Sequence, residues 1–254
     1  MNQEISARAR AIGLHAWYQR PLGRALARAE QQALASQLSN LFGYHLVVID
    51  PPWEECALDD SRIAHRVIQS AVPSVSPLAG LAADPDYWPI QTDSVDAIVL
   101  PHTLELTANP HQVLREADRC LIPDGHLVIL GFNPFSLWGA RQLLTRRTDR
   151  PPWSSRFRSQ HRVMDWLALL GFDALYSQYL FQRPPLQSER ILRKLRFLEP
   201  GDGAGRMLLS ACYILLARKR SIVVTPLRDA QRTRKRLFPV GIPTSTQGNV
   251  RSAR

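Results

Sequence analysis

No apolar run in the 254 residues approaches the ~18 needed to cross a bilayer. No membrane span is therefore expected. The first thirteen residues, MNQEISARARAIG, lack the apolar core of a secretory signal, so a cytoplasmic location is expected. Cysteine is scarce: Cys56, Cys120 and Cys212 are odd in number, far apart and without histidines at ligand spacing. That excludes a disulfide framework and a zinc-type site, points to a reducing compartment, and leaves no metal to expect. The C-terminal segment lacks aromatics interleaved with its basic residues, so stacking on nucleic-acid bases is not indicated.

Charge is present but unevenly placed. Residues 183–254 hold 16 Lys and Arg against 4 Asp and Glu, a net of +12, while the remainder is near neutral at −2. A basic segment of this kind suits phosphate or other polyanions, nucleic acid included; the bland alternative is a solvated tail that aids solubility. The groups 218–220 (RKR) and 232–236 (RTRKR) are its densest runs. Too short and too poor in aromatics to read bases, they predict contact without base preference.

The remaining chain alternates apolar runs with helical periodicity. Residues 1–42 read as helical, with Leu22, Leu26, Ala29, Ala33, Leu34, Leu38 and Leu41 at near-helical spacing and Pro21 suited to a helix start. The run 44–49 (YHLVVI) reads as the first strand, and 62–69 (RIAHRVIQ) holds a second. Residues 72–80 form a Pro/Ser-rich loop. At 95–100 (VDAIVL) an apolar run has the pattern of a strand buried on both faces. Asn109-Pro110 marks a helix start. Val113, Leu114, Ala117 and Leu121 form its apolar face, Pro123-Asp124-Gly125 a turn, and 126–130 (HLVIL) another strand. This βαβ unit predicts a parallel sheet. Helices are expected over 135–144 and 161–170, and strands over 172–181 and 207–217. Disorder is expected at the far end, 228–254.

Within this stretch, Ser94-Val95-Asp96, Leu104-Glu105, Asn109-Pro110, Leu114-Arg115-Glu116, Arg119 and the run 121–127 (LIPDGHL) resemble the second half of a class I S-adenosylmethionine (SAM) methyltransferase domain of the type 11 family. With 81–86 included, the likeness covers about 50 residues. Asn133-Pro134, Ser136, Gly139 and Asp165-Trp166-Leu167 resemble its YafS-like bacterial branch. The resemblance implies a seven-stranded, mostly parallel α/β sheet with helices on both faces, in a methyltransferase-like domain over 43–220. A helical segment over 1–42 would precede it and a basic tail over 221–254 would follow. It implies SAM as cofactor and methyl transfer as activity, the acceptor being open.

Site residues follow from the same resemblance. The loop after the first strand normally carries glycines that let backbone N–H groups approach the cofactor. Here it reads DPPWEE, 50–55: no glycine, two prolines and three acids. Asp50 would repel an anion and accept the cationic methionine end. Gln69, with Ser70, stands where the family has an acid for the ribose hydroxyls. Asp84 stands where an acid accepts from the adenine amino group, or else caps the next turn. Trp88 or Ile90 would touch the ring. Leu100 and His102 end the fourth strand, at the edge where open α/β sheets bind ligands. His102 is the candidate base, if one is needed, with Glu105 close by. Trp17 and Tyr18 either line the helical cover or simply pack. The rival class is a methyltransferase-like binding or scaffold module without catalysis, which the glycine-free loop favours.

Overall fold

Apolar side chains alternate along the central strands, so each strand feeds two cores, one per sheet face. Leu46, Val48, Val99, Val128 and Leu130 enter one core. Val47, Ile49, Ile98, Leu100, Leu127 and Ile129 enter the other. The computed structural model describes residues 2–53, 58–71, 79–84, 86–145, 151–185 and 206–221. The expected loop at 72–80 and the expected tail lie almost wholly outside them.

The elements are α1 (Asn2–Tyr18), α2 (Pro21–Leu38), β1 (His45–Ile49), β2 (His65–Ser70), β3 (Ala79–Ala82), β4 (Val95–Pro101), α3 (Thr103–Leu106), α4 (Pro110–Cys120), β5 (Leu121–Phe132), α5 (Leu137–Thr145), α6 (Gln160–Leu169), β6 (Phe172–Leu180), α7 (Arg206–Leu209) and β7 (Cys212–Lys219). The strands form one seven-stranded sheet in the order β3-β2-β1-β4-β5-β7-β6. β3 to β5 are parallel, and β7 runs antiparallel between β5 and β6. The strand order reverses between β1 and β4. The expected fold class and the terminal antiparallel pair are therefore present. Among the described residues no helix is long and apolar enough to cross a membrane.

Local chemistry explains the element ends. Pro21 opens α2 directly after α1 ends at Tyr18. The two helices meet so closely that a Cβ on Gly23 would lie 2.5 Å from the Trp17 carbonyl oxygen. Pro110 opens α4 after Asn109, but the Asn109 side chain makes no capping bond there. Pro123-Asp124-Gly125 is no simple turn between helix and strand. Leu121 already pairs with Val95, and the register shifts before Ala97 meets His126. The tripeptide is thus a bulge inside β5, with Asp124 at φ 63°. Residues 207–211 also depart from the expected strand. β7 starts only at Cys212, opposite Leu180, because the chain before it coils as α7.

α1 and α2 pack with Trp138 and Trp153 on one sheet face, and α4 and α6 cover the other. Lys219 and Arg220, expected among the anion contacts, are engaged within the fold. Lys219 Nζ lies 3.1 Å from Asp93 and donates to the carbonyls of Asp118 and Leu121, while Arg220 pairs with Asp173.

Candidate active site

The carboxyl ends of β1, β2 and β4 lie side by side at the strand-order reversal, where ligands of open α/β sheets bind. Thr103 Oγ1 donates to the Ile49 carbonyl at 3.1 Å and ties the ends of β1 and β4 together. Leu100 is completely buried between them.

Asp50 follows β1 with φ 47°, so an aspartate takes the left-handed turn that glycine would otherwise occupy. Its N–H donates to the Gln69 carbonyl at 2.8 Å, and its Oδ1 accepts from Ala71 N–H at 2.7 Å. Burial pushes this carboxyl up to about 6, against the bonds from Ala71 and Ser70 and with help from the Asp84 charge. Gln69 is completely buried at the end of β2; its Nε2 donates to the Asp84 carbonyl at 3.3 Å. Its Oε1 is buried without a hydrogen-bond partner among the described residues. Asp84 Oδ1 accepts from Asp86 N–H at 2.8 Å, the turn-capping bond of the bland reading. Asp86 in turn accepts from Thr107 Oγ1 at 2.6 Å and fixes the loops after β3 and β4 to each other. Trp88 is buried in the core.

His102 sits just beyond β4 at φ 57°. It is completely buried and has a carboxylate on each ring nitrogen: Glu30 Oε1 lies 2.9 Å from Nε2, and Glu105 Oε2 lies 3.0 Å from Nδ1. A neutral imidazole carries one N–H and would turn a lone pair toward one of the two. With both carboxylates ionised, the ring satisfies both only when doubly protonated. Burial alone would push it down; the Glu30 charge and the bond and charge of Glu105 outweigh that and hold it at about 10. Burial holds Glu105 above its ordinary value, and His102 and the Phe132 N–H that donates to its Oε1 offset this only in part.

Three further groups complete the cluster. Tyr18 donates its hydroxyl to Glu30 at 2.9 Å and lies 3.0 Å from His102 Nε2. Trp53 Nε1 donates to Glu30 Oε2 at 3.1 Å. Phe132 stacks on the His102 ring at 4.1 Å. Trp53 belongs to the loop after β1, so this loop is anchored inward on a carboxylate of α2. Trp17 packs edge-on against Tyr18 and Trp138.

The sequence-predicted residues thus form two adjoining groups. Asp50, Gln69 and Asp84 share one lip, and His102 with Glu105 forms a buried knot beside it. Glu30, Tyr18 and Trp53 were not assigned to this knot from sequence. The available signal was Glu30 itself, a lone carboxylate on the face of α2 that also carries Leu22, Leu26, Leu34 and Leu38. As placed, His102 has no lone pair to accept a proton at neutral pH.

The methyltransferase-domain model of the type 11 family matches residues 32–129, from within α2 into β5. The uncharacterized protein YafS of Escherichia coli K12 is 33% identical over 223 residues, covering 85% of each chain. A SAM-dependent methyltransferase of Thermotoga maritima shares the fold at a TM-score of 0.58 and 20% identity, covering 78% of this chain and 92% of that one. One from Archaeoglobus fulgidus does so at 0.53 and 14%, covering 74% and 94%. With the sheet order, the domain match and a relative matched over 85% of both chains in agreement, this chain belongs to the class I SAM-dependent methyltransferases, type 11 family, in the branch of YafS.

Proposed function

We propose that the chain transfers a methyl group from SAM to an acceptor held at the carboxyl edge of the sheet. The observation that carries this is the family match over 32–129, which spans the strands whose ends bring Asp50, Gln69 and Asp84 to one lip. The residues fit the cofactor's chemistry. The orphaned Gln69 Oε1 is an acceptor suited to a ribose hydroxyl. Asp50, ionised at neutral pH with its carboxyl near 6, suits a cationic ammonium. Asp84 would take the adenine amino group and Leu100 would lie under the apolar part. When bound, SAM supplies a methyl group on positively charged sulfur. What remains for the protein is alignment and exclusion of water, an effect worth roughly 7–11 kcal/mol.

In this reading His102 acts by position. Clamped between Glu30 and Glu105, it fixes α2 to the end of β4 and so sets the wall of the site. Isothermal titration with SAM tests the proposal. Micromolar binding is expected, weakened by the missing glycine loop. No heat and no thermal shift at millimolar SAM would overturn the enzyme reading. The second reading, a binding module on the same fold, is favoured by the left-handed Asp50 followed by two prolines in place of glycines. That null titration is its expected outcome.

A further inference from the structure

The basic tail is not the chain's sole concentration of positive charge. Arg156, Arg158 and Arg162 gather around the start of α6, and Arg10 of α1 approaches Arg156. The segment bearing Arg156 and Arg158 crosses the carboxyl edge of the sheet. Arg156 N–H donates to the Glu105 carbonyl, and Phe157 stacks on Phe132 at 4.8 Å. Of their guanidinium groups, that of Arg158 feels the Glu105 charge and so stands nearest the knot around His102.

Their geometry is built rather than scattered. The guanidinium carbons of Arg158 and Arg162 lie 5.6 and 5.7 Å from the centroid of the half-buried Trp166 ring, which also meets His111 at 4.2 Å. Among the described residues, Arg156, Arg158 and Arg162 have no ion pair with an acid. Arg158 Nε is buried without a hydrogen-bond partner among the described residues. Glu105, the carboxylate that acts on Arg158, is already shared by His102 and Phe132 N–H. Burial first, and then the neighbouring Arg156 and Arg162, hold Arg158 below its ordinary value, with Glu105 only partly opposing them. Such an arrangement is unfavourable until an anion enters it. A phosphate suits two guanidinium forks better than a carboxylate does, because it offers oxygens to both at once.

We infer that Arg156, Arg158 and Arg162 form a phosphate-binding site at the mouth of the methyl-transfer site, so that the methyl acceptor carries a phosphate group. The placement beside an acceptor rests on the methyltransferase reading; the anion site does not.

The test is titration of the full chain with inorganic pyrophosphate at low salt. It compares the wild type, Arg158→Gln/Arg162→Gln, Arg158→Lys/Arg162→Lys and the tail variant Arg234→Gln/Arg236→Gln, with SAM titrated separately into each. The glutamine pair should lose at least tenfold in pyrophosphate affinity. The lysine pair, which keeps charge but not the fork, should fall between it and wild type. The tail variant should match wild type. SAM affinity should be the same in all four. Unchanged pyrophosphate affinity in the glutamine pair, or a loss only in the tail variant, would overturn the phosphate site. Pyrophosphate binding through these arginines in a protein that ignores SAM would keep the site and remove its role in methyl transfer.

Discussion

Replacing Glu30 by alanine removes the shared acceptor of Tyr18, Trp53 and His102. Three bonds to a charged group at about 1.5–3 kcal/mol each would total up to about 9 kcal/mol. That sum overstates the loss, since Tyr18 already lies 3.0 Å from His102 Nε2 and can turn to it, and Glu105 keeps the other nitrogen. Breaking a buried pair from one side typically costs about 3–5 kcal/mol, and we expect Glu30→Ala to fall in that range. For a chain of this size each kcal/mol lowers Tm by roughly 2–4 °C, so the melting point should drop by roughly 6–20 °C. Glu30→Gln keeps acceptors for Tyr18 and Trp53 and loses only the charge, so it should lie between wild type and alanine. Its His102 should titrate lower than the wild-type ring. Urea unfolding at pH 7 measures the first effect and NMR titration of the imidazole the second. A Glu30→Ala change within about 1 kcal/mol, or a wild-type His102 titrating near its ordinary value, would refute the clamp.

Further outcomes can be measured. Because the folded state holds His102 near 10 and the unfolded chain near 6.5, its stabilising effect is complete below pH 6.5 and lost as pH rises through about 10. Unfolding free energy should fall by about 1.4 kcal/mol per pH unit between pH 7 and 9 relative to His102→Gln; equal slopes in both proteins would reject this. Asp84→Ala should weaken SAM binding by about 1.5–3 kcal/mol with little change in melting temperature, and unchanged affinity in calorimetry would leave Asp84 with its turn-capping bond alone. Gln69→Leu, which removes the orphaned oxygen, should reduce SAM affinity without destabilising the free protein; a large loss of Tm would show a structural role instead. Deleting 228–254 should lower RNA affinity in filter binding at two salt concentrations and leave SAM affinity unchanged, whereas equal RNA binding by both forms would make the tail a solvated extension.

The fold was largely legible because its signals are local. The apolar runs of β1, β4 and β5, Pro21 and Asn109-Pro110 at helix starts, and the closing pair β6 and β7 can each be read within a dozen residues. Misreadings arose where pairing overrides local pattern. The Pro-Asp-Gly tripeptide has turn chemistry, yet Leu121 pairs with Val95 before it and the strand runs through. An apolar run such as 207–217 suits helix or strand equally, and pairing with β6 decides that the strand begins at Cys212. The site was half legible. Asp50, Gln69 and Asp84 were candidates through the family resemblance, and Leu100 and His102 through their place at the end of the fourth strand as well. Glu105 was in view three residues on, but Glu30 was not, because it lies 72 residues away and the contact exists only after α2 docks.

The clamp also orders events in time. As the chain is made, α2 exists long before residues 102 and 105, and its leucine face carries an uncompensated carboxylate until they arrive. The N-terminal helices therefore cannot seal their apolar side when first synthesised. They must wait for β4 to bring its imidazolium, so a segment made before β4 is fastened only after it.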